Sequence, residues 1–306
     1  MEYILETNEL TKSYKKKMAV DHVDLHVKKG EIYGFVGPNG AGKSTILKMI
    51  LNLTKPDSGE IKIFGETVGE NNFEMLKRIG SIIESPYFYD KLTGRENLEL
   101  HCEYMGYHNK GQIDHVLEAV SLTDIENKAV AHYSLGMKQR LAIARAILTK
   151  PQFLILDEPI NALDPEGIRE MRSLFRKLNE EWGISILISS HILSEVELIA
   201  DTIGVIQKGC LLKEISMEDI HDYRTEYMEA EVSDTSRVGY LLEEKLGITN
   251  YKIISDKKIR IFDMHISGTE ISRLIIQGGI GLESIRKQKN TLEDYFFQLT
   301  EGDEIL

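Results

Sequence analysis

Residues Gly37-Pro38-Asn39-Gly40-Ala41-Gly42-Lys43-Ser44-Thr45 fit the pattern G-x-x-x-x-G-K-[ST], the loop that wraps nucleotide phosphates. Its flanks suit that reading. Ile32-Tyr33-Gly34-Phe35-Val36 is an apolar run of strand length, and Ile46, Leu47, Met49, Ile50 and Leu51 follow with the spacing of a buried helix. Glycines let the backbone turn its N–H groups inward, and the helix adds its positive end, so main chain holds most of a polyphosphate. Lys43 is expected to reach the β- and γ-phosphates, and the Ser44 hydroxyl to bind Mg²⁺. A strand–loop–helix of this kind commits the chain to an α/β fold around a parallel sheet.

The order of elements after residue 150 agrees. Strand (Phe153 to Leu156), helix (Pro165 to Trp182), strand (Ile184 to Ser189), helix (Leu193 to Ala200) and strand (Thr202 to Gln207) alternate as in a sheet covered on both faces. Asp164-Pro165 is a cap followed by proline at the first helical position, and Gly183 closes that helix. The stretch from Tyr3 to Val36 alternates at period two in several places and reads as an antiparallel β layer leading into the phosphate loop. Further strands are expected at Glu60 to Gly65 and Ile79 to Glu84. From Thr93 to about Thr149 the spacing is helical, with Ile113, Val116, Leu117 and Val120 on one face.

All six prolines lie at or before residue 165, and the texture of the chain changes after about residue 225. There the pattern is strand (Tyr227 to Val232), helix (Ser236 to Leu246), two strands (Tyr251 to Ser255, Lys258 to Phe262), helix (Thr269 to Gln277), strand (Leu282 to Gln288) and helix (Leu292 to Leu299). Residues 1–224 are therefore read as one α/β domain, and 225–306 as a small α/β domain of ferredoxin-like type.

Charge narrows the function classes. A net charge of −12 argues against a general nucleic-acid surface, which rests on phosphate neutralisation by Lys and Arg. Lys15-Lys16-Lys17 reads as a solvated turn. No apolar stretch approaches the roughly 20 residues that cross a bilayer, and Met1 to Glu6 lack a signal peptide's basic start and apolar centre. A cytoplasmic protein is expected, with membrane contact made through a partner. Cys102 and Cys210 show no C-x-x-C spacing, and the nine histidines no H-E-x-x-H arrangement; His22 and His26 alternate with Val23, Leu25 and Val27 and read as the outer face of a strand. A reducing compartment and no dedicated metal cluster are the expectation.

Two carboxylates complete the nucleotide site. Phe153-Leu154-Ile155-Leu156 runs into Asp157-Glu158. A buried strand ending in Asp delivers a hard oxygen ligand for Mg²⁺ at the sheet's carboxyl edge, and Glu158 can accept a proton from an attacking water.

Tyr133-Ser134-Leu135-Gly136-Met137-Lys138-Gln139-Arg140 stands about 20 residues before that strand. With it the chain resembles the ATP-binding subunit of an ABC transporter, whose signature reads L-S-G-G-Q followed by x-Q-R. Ser134, Gly136, Gln139 and Arg140 match; Tyr133, Leu135 and Met137 depart from it. The resemblance implies a P-loop NTPase cassette of mixed sheet, helical subdomain and antiparallel β layer. It also implies a second cassette, here a second copy, whose Ser134 and Gly136 face the γ-phosphate, and a separate integral-membrane permease. Asn161-Ala162-Leu163-Asp164 resembles the loop that crosses the cassette interface. His191 matches the switch histidine, and Tyr14 the aromatic that stacks on adenine.

Glu84 stands where most such subunits carry Gln, and keeps an oxygen for Mg²⁺ while adding a negative charge. That Glu, together with the signature and Thr93-Gly94-Arg95-Glu96-Asn97-Leu98 and Asp294-Tyr295-Phe296, is similar to bacitracin and lantibiotic export or immunity subunits. The implied activity is ATP hydrolysis driving export of, or immunity to, a peptide antibiotic. An antibiotic-sensing complex, or a soluble ATPase that remodels nucleic acid or ribosomes, is the alternative. Tyr87-Phe88-Tyr89 reads equally as core and as a docking surface for the permease.

Overall fold

The computed structural model describes residues 2–15, 17–69, 73–109, 111–123, 128–219 and 226–289. They fall into two compact units, Met1–Glu218 and Asp219–Leu306. The domain boundary expected after residue 224 falls outside the described residues.

Continuous apolar runs make the centre of the first unit. Ile32–Val36, Phe153–Asp157 and Ser185–Ser190 are buried along their whole length, as strands covered on both faces must be. Ile32–Val36 lies parallel to Ser185–Ser190, which lies parallel to Phe153–Asp157 and then Ile79–Ile82. Thr202–Gln207 runs parallel on the other flank of Ile32–Val36, and Cys210–Ser216 closes that edge antiparallel. The result is a mixed six-stranded sheet.

A second sheet is antiparallel. Tyr3–Tyr14 pairs with Lys17–Val23, His26–Lys28 and Ser58–Ile63. The expectation that Ile32–Val36 belongs to this layer is corrected: the strand has no polar alternate residue to give to solvent, so it sits inside the parallel sheet instead. The edge strand Cys210–Ser216 was not anticipated, because its Cys-Leu-Leu-Lys-Glu-Ile-Ser sequence lacks a clean period of two.

Each face of the central sheet has its own core. On one, the helix Lys43–Ile50 and the antiparallel layer pack Ile46, Leu47 and Ile50 with Leu5, Leu25 and Phe35. On the other, Gly94–Met105, Gly111–Ala119, Leu135–Ile147 and Pro165–Glu180 bring Leu98, Ile113, Leu117, Ile143 and Phe175 together. Among the described residues the expected helical run from Thr93 to Thr149 is thus three α-helices, with a 3-10 turn at Val130–His132 before the last. Gly183, with φ of 67°, follows the helix that ends at Glu180.

The second unit has the order strand Glu226–Val232, helix Thr235–Leu246, strands Tyr251–Ser255 and Lys258–Ile261, helix Gly268–Gln277 and strand Leu282–Lys289. All pairings are antiparallel, with Glu226–Val232 central between Lys258–Ile261 and Leu282–Lys289. Met228, Ala230 and Val232 face Val238, Leu242, Ile271 and Ile275 of the two helices. The expected helix Leu292 to Leu299 lies outside the described residues.

Candidate functional site

The phosphate loop follows from its glycines. Gly40 and Gly42 have φ of 80° and 112°, conformations open to a residue without Cβ. A Cβ on Gly42 would stand 2.6 Å from the Ala19 carbonyl oxygen, so the neighbouring strand leaves no room for a side chain. Gly42 is also the residue at which helix Lys43–Ile50 begins, and no side chain caps that start. The first N–H groups of the helix therefore point, unsatisfied, into the loop.

Beside the loop lies a cavity of about 560 Å³, bordered by Tyr14, Lys17, Met18, Ala19, Asn39, Gly40, Gly42, Lys43, Ser44, Thr45, Glu158, Lys208 and Gly209. Lys43 is almost fully buried. Its ammonium donates to the Gly37 carbonyl at 2.6 Å and stands 3.3 Å from Glu158 Oε1. Pro38 supplies a second carbonyl at 3.3 Å, and Ala41 N–H closes the turn on Pro38 O at 3.1 Å. His191 Nδ1 is 2.8 Å from the other Glu158 oxygen. Glu158 thus sits between the motif lysine and the histidine, at a backbone φ of 49°, a left-handed conformation uncommon for a residue with a side chain.

Asp157 precedes it at the sheet edge and is only 7% exposed. Ser189 Oγ donates to Asp157 Oδ1 at 2.5 Å and accepts the Glu158 N–H at 3.0 Å. The second Asp157 oxygen and the Ser44 hydroxyl have no hydrogen-bond partner among the described residues. Both are hard oxygens of the kind a small divalent cation takes; Ser44 borders the cavity, and Asp157 lies behind its lining, one residue before Glu158. Among the described residues no group of three or more His, Cys, Asp or Glu could hold a metal unaided.

Not every expected residue joins this cluster. Tyr14 borders the cavity, with Lys12 Nζ 5.6 Å from its ring centre. Glu84, with φ of 62°, is exposed, and its carboxylate accepts from Lys48 Nζ at 2.6 Å. That hydrogen bond holds the Glu84 carboxyl below its ordinary range and raises the Lys48 ammonium. Ser134 caps helix Leu135–Ile147, its hydroxyl accepting the Met137 N–H at 3.2 Å. Leu135 is 52% exposed, and a Cβ on Gly136 would meet nothing closer than Leu163 at 3.8 Å. Ser134, Gly136 and Glu84 stand outside the cavity's lining.

Three contributors escaped the sequence reading. Ser189 bonds the Asp157 carboxylate and the Glu158 main-chain N–H; its signal was a Ser-Ser pair ending an apolar buried strand, since buried hydroxyls need partners. Lys17, read as part of a solvated turn, borders the cavity, and so does the turn Lys208-Gly209.

Residues 20–161 match the family model described as ABC transporter. The chain is 54% identical over 305 residues to an uncharacterized ABC transporter ATP-binding protein of Bacillus subtilis (strain 168), covering 100% of this chain and 99% of that one. It is 46% identical over 305 residues to a bacitracin transport ATP-binding protein of Bacillus licheniformis, with both chains covered in full. Among solved structures it is similar to the ATP-binding cassette MJ0796 in a dimeric post-hydrolysis state bound to ADP and Pi. The TM-score is 0.62 at 28% identity, covering 70% of this chain and 98% of that one.

Proposed function

This chain belongs to the ABC transporter ATP-binding proteins, and on that premise we propose the substrate, the partners and the residue roles that follow. As a member of that family it is an ATP-hydrolysing subunit of a transporter. Its cargo is a peptide antibiotic of the bacitracin or lantibiotic kind, moved through a separate membrane permease for export or immunity. Support comes from end-to-end similarity to a bacitracin transport ATP-binding protein. Among the described residues no helix is long and apolar enough to cross a membrane. Attachment at the inner face of the membrane through the permease fits that. Tyr87 and Tyr89, 86% and 55% exposed, offer aromatic anchors for it. Phe88 instead turns inward beneath the Arg145 guanidinium.

The observation that carries the chemistry is Glu158 held between Lys43 and His191. ATP enters the cavity with its polyphosphate over the uncapped start of helix Lys43–Ile50. Lys43 leaves its contacts with the loop carbonyls and Glu158 for the β- and γ-phosphates. Water attacks the γ-phosphorus in line: the new P–O bond forms as the bond to the β–γ bridging oxygen breaks. Glu158 takes the proton lost by that water, and His191 orients it. Ser44 and Asp157 would hold Mg²⁺, which supplies positive charge to the β- and γ-oxygens when bound. Glu84 is the further oxygen proposed on that side.

A second copy of the cassette would present Ser134 and Gly136 to the same γ-phosphate. Gly136 supports this, since nothing in its own chain requires a missing Cβ there. Closure on ATP and reopening after hydrolysis then move the permease.

Glu158→Gln tests the assignment. ATP binding is expected to persist while steady-state turnover falls about a thousandfold, the scale of a lost general base with its positioning. Turnover within a few-fold of wild type would remove Glu158 from the role of base.

A further inference from the structure

Three lysines border the nucleotide cavity, and they are placed differently: Lys43 is buried against Glu158, whereas Lys17 and Lys208 are exposed. Lys208 and Gly209 are the two-residue turn between Thr202–Gln207 and Cys210–Ser216, with φ of 51° and 88°. Both values are positive, as the tightest hairpin turn demands. Gly209 suits that position; a lysine beside it adopts a conformation that side chains rarely take.

The turn is fixed from two directions. Gly209 N–H donates to the Ala41 carbonyl of the phosphate loop at 2.9 Å, and Gly209 O accepts the Asp21 N–H at 2.9 Å. A Cβ on Gly42 would lie 3.6 Å from Gly209 Cα. The hairpin tip is therefore docked against the loop that grips phosphate. Lys208 itself is exposed, and no carboxylate among the described residues pairs with it. Acidic residues outnumber basic ones 49 to 37 in this chain, so an unpaired ammonium at a polyphosphate cavity has a natural counter-ion in the ligand.

We propose that Lys208 is a nucleotide-binding residue whose ammonium engages the α-phosphate of bound ATP. The motif lysine serves the β- and γ-phosphates. The remaining phosphate charge lies between the loop and the adenosine, and the Lys208-Gly209 turn borders the cavity while docked on that loop. Lys17 borders the cavity as well. A lysine acts there as a mobile point charge that needs no fixed hydrogen-bond fork. ATP and ADP share the α-phosphate, so the contact contributes equally to both. This inference rests on the reading that the cavity holds ATP.

The test is equilibrium binding of ATP and of ADP to the full chain, comparing wild type with K208N, K208E and K208R, and with K43A alongside. Asparagine tolerates a positive φ, so K208N removes the charge and keeps the turn; melting curves check that it does. K208N is expected to weaken both nucleotides about fivefold, the scale of one partly exposed charge contact. K208E should weaken them further, and K208R should bind as wild type. K208N and K208E binding both nucleotides as wild type does, while K43A loses ATP, would overturn this inference alone. A loss confined to ATP overturns it too, by moving the contact to the γ-phosphate. Wild-type ATP affinity in K43A would instead undo the reading of the cavity itself.

Discussion

Two helices in the first unit begin beside a glycine, and they begin in opposite ways. Helix Lys43–Ile50 starts at Gly42 with φ of 112° and no capping side chain. Helix Leu135–Ile147 starts at Ser134, whose hydroxyl takes the N–H of Met137. The first start is open and crowded; the second is capped and roomy. At Gly42 the chain itself forbids a Cβ, with Ala19 O only 2.6 Å from where one would sit, whereas at Gly136 the nearest atom is 3.8 Å away. An open start surrounded by its own chain is a grip completed within one molecule. A capped start with vacant space around it is a surface prepared for something from outside. The cap leaves the Ser134 O–H free to donate and the N–H groups of Leu135 and Gly136 unspent. Capping and phosphate contact are therefore compatible at that helix.

The same substitution at the two glycines turns that contrast into a measurement. Gly42→Ala should have the larger effect. The added methyl meets the Ala19 carbonyl, and the positive φ is strained for alanine, together costing about 1–3 kcal/mol of stability. ATP affinity should drop by more than tenfold, since the loop that aims its N–H groups must shift. Thermal melting and nucleotide titration read the two effects. Ordinary ATP binding by this variant would break the contrast at its stronger end.

Gly136→Ala should do the reverse. Alanine near a helix start with free space is favoured over glycine by up to about 1 kcal/mol, so the melting temperature should hold or rise. ATP binding to the separate subunit should be unchanged, while turnover by the paired cassettes falls at least tenfold as the methyl enters the closing joint. Unimpaired turnover would mean that no second molecule approaches this helix closely, and the sandwich arrangement would lose its best local support.

What could be read in the chain follows the same division. The phosphate loop and Asp157 were legible because their chemistry is written contiguously: glycines at fixed spacing force the backbone, and an apolar strand delivers its last carboxylate to the sheet edge. Ser189 was not, because its role is to bond Asp157 across two strands separated by 32 residues in sequence. Lys208 was hidden for a similar reason, since only the docking of Gly209 on Ala41 brings that turn to the loop. Tyr87-Phe88-Tyr89 could not be read as one unit, because neighbours in an irregular segment need not share a face; Phe88 packs inward and its two flanking tyrosines are exposed. The sheet membership of Ile32–Val36 was misjudged since five apolar residues say that a strand is buried without saying which strands bury it.

The smallest effect on turnover is expected at Glu84, and it extends the comparison to the far end of the open helix. Lys48 sits in the last turn of Lys43–Ile50, and its ammonium holds Glu84 at 2.6 Å. The helix that grips phosphate at its start is therefore tied at its end to the segment leading into the exposed aromatics Tyr87 and Tyr89. Glu84→Gln keeps an oxygen for a cation but releases Lys48. ATP hydrolysis should stay within a few-fold of wild type, while antibiotic resistance per ATP consumed changes, because the link between nucleotide and permease side has been loosened. The pH dependence supplies a second readout. Lys48 lowers the folded-state pKa of Glu84, so the stabilisation is present above the ordinary carboxylate range and disappears as pH falls through the lowered value. Wild type and Glu84→Gln should differ in melting temperature near neutrality and converge in acid. Loss of ATP binding in Glu84→Gln would instead make Glu84 part of the grip, and the helix would then have two functional ends rather than one.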